Sequence, residues 1–136
     1  MPSNTLPPEQ PKKHILLVDD DADIRRIFGA KLFTAGFEVL YARDGNEGRE
    51  MARRLQPNLV LMDIKMPVMG GLEAATRMKE ESETTGIPII FLTNEDMSIE
   101  SQRAIKEIGV SGYMPKAVDL DEFIVTVKKT LDAVKN

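Results

Sequence analysis

The chain of 136 residues has no cysteine, one histidine, and a small acidic excess that gives a net charge of −4. Without cysteine it can form neither disulfides nor thiolate metal sites. The lack of a basic excess argues against a nucleic-acid surface. No apolar run approaches the roughly 20 residues that span a bilayer, and the first residues lack the apolar centre of a secretory signal. We therefore expect a cytoplasmic protein with no nucleic-acid or membrane partner.

The length and the composition are those of one globular domain. Apolar residues make up 42% of the chain and charged residues 29%, which are ordinary values for a globular protein. Residues 1–12 contain four prolines among polar neighbours, a composition that cannot bury a core. We predict a flexible proline-rich tail over residues 1–12 and a single domain over residues 13–136.

From residue 13 onward, short apolar runs alternate with longer segments of helical periodicity. This alternation predicts buried parallel strands joined by crossover helices, which is an α/β fold. The predicted strands are 14–18, 37–41, 59–62, 87–92 and 111–114, and the predicted helices are 22–35, 45–55, 71–81, about 98–108 and 120–134. Residues expected on the inner faces of two helices are Ile24, Ile27, Phe28 and Leu32 in the first, and Leu72, Ala75 and Met78 in the third.

Polar side chains follow four of these strands, in positions suited to one shared pocket. Chemistry in a parallel sheet gathers at the carboxyl ends of the strands. Crowded carboxylates keep their charge only beside a cation, and oxygen ligands suit Mg²⁺. A lysine and a hydroxyl beside such an ion would accommodate a phosphoryl group. The residues expected at this edge are Asp19, Asp20, Asp63, Thr93 and Lys116.

Four motifs in this order carry a resemblance to a known family: LLVDDD followed by RR, LMDIKMPVMGG, IIFLTN and GYMPK. Over about residues 13–134 the chain resembles the receiver domain of two-component response regulators. The resemblance implies a flavodoxin-like, doubly wound parallel sheet of five strands in the order 2-1-3-4-5, with five helices. It also implies that a histidine kinase, or a phosphotransfer protein, donates a phosphoryl group from phosphohistidine.

The same resemblance assigns the acidic residues. Asp63 matches the phosphoacceptor, and a carboxylate is a competent nucleophile toward phosphoryl groups. Asp19 and Asp20 match the acidic pair that holds Mg²⁺, Asp20 by direct contact and Asp19 directly or through water. Asp63 and the backbone carbonyl of Lys65 complete the implied metal ligands.

Thr93, Lys116 and Tyr113 match the residues that respond to phosphorylation. Thr93 and Lys116 are expected to contact phosphoryl oxygens, and Tyr113 is expected to reorient on activation, although a half-buried strand tyrosine would fit the same pattern. The expected output is binding of an unidentified protein at the fourth helix, fifth strand and fifth helix. We expect a stand-alone signalling switch that promotes only its own phosphorylation and dephosphorylation, and no enzyme with a separate substrate.

Two departures from the family pattern keep an alternative open. Ala117 follows Lys116 where the family usually has proline, so we predict a trans peptide bond there. Asn94 is larger than the usual residue after Thr93. Both departures fit a pseudo-receiver, which would use the fold for binding without phosphorylation. A third possibility is a small phosphohydrolase with Asp19 as nucleophile and Asp21 as acid, which the chain's length and local sequence disfavour.

Overall fold

The computed structural model describes residues 11–94 and 97–134, so the first ten residues of the predicted tail lie outside the described part. The described residues form five strands that alternate with five helices. The strands are β1 (His14–Val18), β2 (Glu38–Ala42), β3 (Leu59–Asp63), β4 (Ile89–Thr93) and β5 (Gly112–Pro115). The helices are α1 (Ala22–Thr34), α2 (Gly45–Leu55), α3 (Gly71–Glu80), α4 (Ile99–Ile108) and α5 (Leu120–Ala133).

All five strands are parallel, in the order β2-β1-β3-β4-β5, which confirms the predicted α/β fold. β2 lies on one side of β1 and β3 lies on the other, so the direction in which strands are added to the sheet reverses at β1. Ligands of doubly wound sheets bind in the crevice at such a point, beyond the carboxyl ends of the strands. The register pairs Val18 with Met62, so the next residues, Asp19 and Asp63, come side by side.

Two apolar layers cover the two faces of the sheet. Because successive strand side chains point to opposite faces, Ile15 and Leu17 enter one layer while Leu16 and Val18 enter the other. In the first layer the rings of Phe28 and Phe123 meet edge to face at 4.7 Å, an arrangement that contributes about 0.5–1.5 kcal/mol beyond burial. Other buried members are Leu32, Leu61 and Val127 in the first layer, and Met62, Met78 and Phe91 in the second.

Some expected core positions are not buried. Ile27 is 44% exposed, because the buried face of α1 includes Phe28 and Leu32 but does not extend to every apolar side chain of the helix. Leu72 is only partly buried against the second layer. β2 is an edge strand with only Ala42 fully buried, so it differs from the buried strands β1, β3 and β4.

The observed boundaries of β1 and α2 are those predicted, and the boundaries of the other elements differ by one or two residues. β3 and β4 extend far enough to include Asp63 and Thr93. β4 begins at Ile89 because the preceding residues form a turn, in which the Ile87 N–H donates to the Thr84 carbonyl. Proline at position 88 has no N–H to donate to a ladder.

No helix in residues 11–94 and 97–134 is both long enough and apolar enough to cross a membrane.

Gly71 allows the end of β3 to pack against the start of α3. Its N–H donates to the Ile64 carbonyl at 2.8 Å. A Cβ atom at this position would clash with the backbone carbonyl oxygen of Asp63 and lie 3.1 Å from Cα of Ile64. The glycine is therefore required by this close backbone approach beneath Asp63.

We expect Gly71→Ala to lower the free energy of unfolding by about 1–3 kcal/mol, because the overpacked backbone must shift. Urea denaturation followed by circular dichroism measures the change. Gly86→Ala is the matched control, since a Cβ there meets no described atom within 4 Å. The control should change stability by less than about 1 kcal/mol. Equal losses in the two variants would contradict the packing role of Gly71.

Candidate functional site

The three consecutive acids after β1 have three different environments. Asp19 is fully buried and Asp20 is exposed. Asp21 is the N-cap of α1, and its side chain accepts a hydrogen bond from the Asp23 N–H at 2.8 Å. A capping aspartate stabilises a helix by satisfying an otherwise unpaired backbone donor. Asp21 therefore has a structural function at the helix start, whereas Asp19 and Asp20 face the carboxyl edge of the sheet.

The carboxylates of Asp19, Asp20 and Asp63 form one cluster, as the sequence predicted. One oxygen from each lies within 4.8 Å of the other two. Oδ1 of Asp19 accepts the Asp21 N–H at 2.9 Å, and its buried Oδ2 lies within ion-pair distance of Lys116. An oxygen-only donor set of three carboxylates fits a hard divalent cation such as Mg²⁺.

Lys116 supplies the positive charge at this cluster. Its Nζ lies 2.8 Å from Oδ2 of Asp19 and 3.3 Å from Oδ1 of Asp63, and its side chain is 10% exposed. Burial alone would lower the pKa of Lys116, but the two carboxylates outweigh that effect and raise it. The lysine therefore stays charged, and its one ammonium group faces the carboxylates of Asp19 and Asp63.

Asp63 is held in a position where its own charge is disfavoured. The residue is 6% exposed, and its Oδ1 accepts the Ile64 N–H at 2.8 Å. Burial, followed by the negative charge of Asp19, raises the pKa of Asp63 from 3.8 to about 6, although Lys116 partly offsets the shift. A bound divalent cation would favour the ionised and nucleophilic form.

Thr93 and Lys116 are joined through the backbone. Thr93 is a buried residue at the end of β4, and its carbonyl accepts the Lys116 N–H at 2.8 Å. The described residues contain no cis peptide bond, which confirms the predicted trans bond before Ala117. The loop after β5 therefore keeps Lys116 beside both acids without the family's usual proline.

A cavity of about 480 Å³ opens at this edge of the sheet. It brings together Asp20, Asp63, Thr93, Lys116 and the exposed Lys65. The start of α4 and the residues before it also line this cavity, which was not predicted: Met97, Ser98 and Ser101 lie there beside Asn94. Ser98 is the N-cap of α4 and accepts the Ser101 N–H at 3.1 Å. A serine just before a helical segment was the available signal.

Two residues considered from the sequence lie outside this cavity. Tyr113 is 43% exposed and lines a groove between β5 and α4, together with Gln102 and Lys106. His14 begins β1 at the opposite end of the strand and pairs with Glu38 at 2.8 Å. The single histidine therefore lies remote from the acidic cluster.

We expect Asp63→Asn to be more stable than the unsubstituted protein above pH 6 in EDTA, by about 1–3 kcal/mol. The raised pKa means that the folded state favours the protonated carboxyl, so this contribution is complete below about pH 4 and lost as pH rises through 6. Asparagine cannot ionise, so the advantage should vanish near pH 4. Urea denaturation at several pH values measures it.

Asp132→Asn is the control for this pH series, because it removes an exposed carboxylate from α5. Surface changes of this kind stay within about 0.5 kcal/mol. An Asp63→Asn effect that does not depend on pH would contradict the charge argument.

Comparison with known proteins agrees with the fold. The sequence profile of the response regulator receiver domain matches residues 15–128. The polar-differentiation response regulator DivK of Brucella anthropi is 32% identical over 119 residues, covering 88% of this chain and 96% of DivK. A CheY-like receiver structure from Methanospirillum hungatei has a TM-score of 0.85 at 30% identity, covering 91% and 97%. Vibrio cholerae CheY4 has a TM-score of 0.81 at 30% identity, covering 88% and 98%. The chain belongs to the response regulator receiver domain family.

Proposed function

We propose that this chain is a phosphoacceptor switch in which Asp63 receives a phosphoryl group from phosphohistidine of a histidine kinase or a phosphotransfer protein. One observation supports the proposal above the others. The buried carboxylate of Asp63 lies 3.3 Å from Lys116 and within one acidic cluster with Asp19 and Asp20. This arrangement combines a nucleophile, a fixed cation and oxygen ligands in a single cavity.

The transfer requires few groups. A carboxylate oxygen of Asp63 attacks phosphorus, the bond from phosphorus to the imidazole nitrogen breaks, and its electron pair returns to the imidazole. The product is an aspartyl phosphate. Phosphoryl transfer depends mainly on positioning and on charge stabilisation. Lys116 and the Thr93 hydroxyl would contact phosphoryl oxygens at the ends of β5 and β4.

Mg²⁺ would be held by Asp19, Asp20, Asp63 and the backbone carbonyl of Lys65. When bound, the ion neutralises charge on the carboxylates and on the phosphoryl oxygens. The cation would favour the ionised form of Asp63, which burial and the charge of Asp19 disfavour. Asp19 would contribute a fully buried carboxylate.

Signalling would follow from a shift between two conformations. A phosphoryl group on Asp63 would attract the hydroxyl of Thr93, and Tyr113 would turn inward from its exposed position in the groove beside α4. The surface formed by α4, β5 and α5 would then bind an output protein preferentially in one state. The chain would promote its own phosphorylation and dephosphorylation only.

Intact mass spectrometry after incubation with acetyl phosphate and Mg²⁺ tests the proposal. We expect the unsubstituted protein to gain the mass of one phosphoryl group, because Asp63 is the nucleophile, and Asp63→Asn to gain none. Omitting Mg²⁺ should greatly reduce the adduct. Labelling that persists in Asp63→Asn would point to Asp19 and a phosphohydrolase. The absence of an adduct on the unsubstituted protein would favour the pseudo-receiver.

The proposed movement of Tyr113 can be measured with its own fluorescence. The chain has two tyrosines and no tryptophan, so Tyr41→Phe leaves Tyr113 as the only reporter. We expect acrylamide quenching of Tyr113 to fall severalfold on phosphorylation, because the ring becomes buried. Tyr113→Phe leaves Tyr41 as the control reporter, which should not respond. Unchanged quenching of Tyr113 in a fully phosphorylated sample would contradict a switch role.

A further inference from the structure

The peptide that carries Asp19 is held from three directions. Its N–H donates to the Ala42 carbonyl of β2 at 3.1 Å. Its side-chain Oδ1 accepts the Asp21 N–H at 2.9 Å. Its carbonyl oxygen accepts a hydrogen bond of 2.7 Å from a guanidinium nitrogen of Arg25. Of these three contacts, only the last is made by the side chain of another residue, so it can be removed by substitution without changing Asp19.

Arg25 occupies an unfavourable place for a basic residue. It lies in the first turn of α1, where its N–H donates to the Asp21 carbonyl, and the helix dipole disfavours positive charge at that end. Helical side chains point back toward the N-terminus, which brings the partly buried guanidinium to the Asp19 carbonyl. The hydrogen bond to the Asp19 carbonyl accounts for a positively charged residue at this end of the helix.

Its neighbour Arg26 shows the contrasting arrangement. The Arg26 guanidinium pairs with Asp23 at 3.1 Å, and the two side chains are more than two-thirds exposed. Exposed pairs of this kind contribute only about 0–1 kcal/mol. The two adjacent arginines thus carry the same charge close to the acidic cluster, but only Arg25 is known to contact the peptide that links Asp19 to Asp20.

We propose that Arg25 is a positioning residue of the metal site, which orients the peptide between Asp19 and Asp20 and thereby the two carboxylates that it carries. The inference rests on the proposed Mg²⁺ site and adds a residue to it. Residues that hydrogen-bond around a metal ligand typically change metal affinity 10–100-fold when removed. Arg25 acts through the backbone and not through a contact with the ion.

The direction of the change in Mg²⁺ affinity distinguishes the positioning role of Arg25 from an effect of its charge alone. A positive charge near the cluster repels a divalent cation, so loss of that charge alone would strengthen Mg²⁺ binding. Loss of the hydrogen bond frees the Asp19 carbonyl and lets the peptide rotate, which would weaken Mg²⁺ binding. The positioning role therefore predicts weaker binding on removal of Arg25, against the electrostatic trend.

Calorimetric titration of the unphosphorylated protein with MgCl₂ provides the test. We expect Arg25→Met to weaken Mg²⁺ binding about tenfold, and Arg26→Met, which removes the same charge, to stay within about twofold of the unsubstituted protein. Arg25→Lys keeps an N–H donor and should recover part of the affinity. Amide hydrogen exchange of Asp21, whose N–H bonds to Asp19, should be faster in Arg25→Met and unchanged in Arg26→Met.

The possible failures can be told apart. Thermal unfolding shows whether Arg25→Met is folded. If Arg25→Met is unfolded, Arg25→Lys is used for the Mg²⁺ titration instead. Binding by Arg25→Met that is as tight as, or tighter than, that of the unsubstituted protein would overturn the positioning role while leaving the proposed function intact. An unsubstituted protein that neither binds Mg²⁺ nor accepts a phosphoryl group would overturn both.

Discussion

The rest of the site depends on one electrostatic constraint, which is the packing of two buried carboxylates against one lysine. Asp19 is fully buried and Asp63 nearly so, and both lie within ion-pair distance of Nζ of Lys116. One ammonium cannot balance both of these acids and the adjacent Asp20. Burial, together with the negative charge of Asp19, raises the pKa of Asp63 to about 6. In the proposed function, Mg²⁺ would supply the missing positive charge and the carboxylate of Asp63 would act as the nucleophile.

The fold imposes that crowding through backbone geometry. The pairing of Val18 with Met62 brings the ends of β1 and β3 level, and Gly71 lets α3 close on the backbone of Asp63. Parallel pairing also aligns Thr93 with Pro115, one residue before Lys116. Since neighbouring parallel strands lie about 4.8 Å apart, side chains from three strand ends must share a small volume. Alternative positions for these charges would require a change of register, which would expose the apolar layers.

Much of this could be predicted from the sequence, because the same pattern determines both fold and site. Short apolar runs separated by helical segments indicate a parallel sheet, and its carboxyl ends must bring Asp19, Asp63 and Thr93 together. Other features depend on three-dimensional context. Val68 has a positive φ of 68°, which is unusual for a β-branched residue. Its loop is held by hydrogen bonds from Met69 to Pro67 and from Gly45 to Met69. No local residue preference predicts this backbone conformation at Val68. Nor does a local preference predict that Ser101 lines the cavity.

The backbone link between Thr93 and Lys116 suggests how a change at Asp63 could reach the surface. A carboxylate carries one negative charge, whereas a phosphoryl group brings about −1.5 to −2 with three acceptor oxygens. The Lys116 ammonium lies 3.3 Å from Asp63, and the Lys116 N–H is bonded to the Thr93 carbonyl at 2.8 Å. A movement of either strand end therefore tends to carry the other with it. Tyr113 lies three residues before Lys116 on β5, with its register partner Phe91 two residues before Thr93 on β4. Because Phe91 is fully buried and Tyr113 is exposed, the side chain with freedom to respond is that of Tyr113.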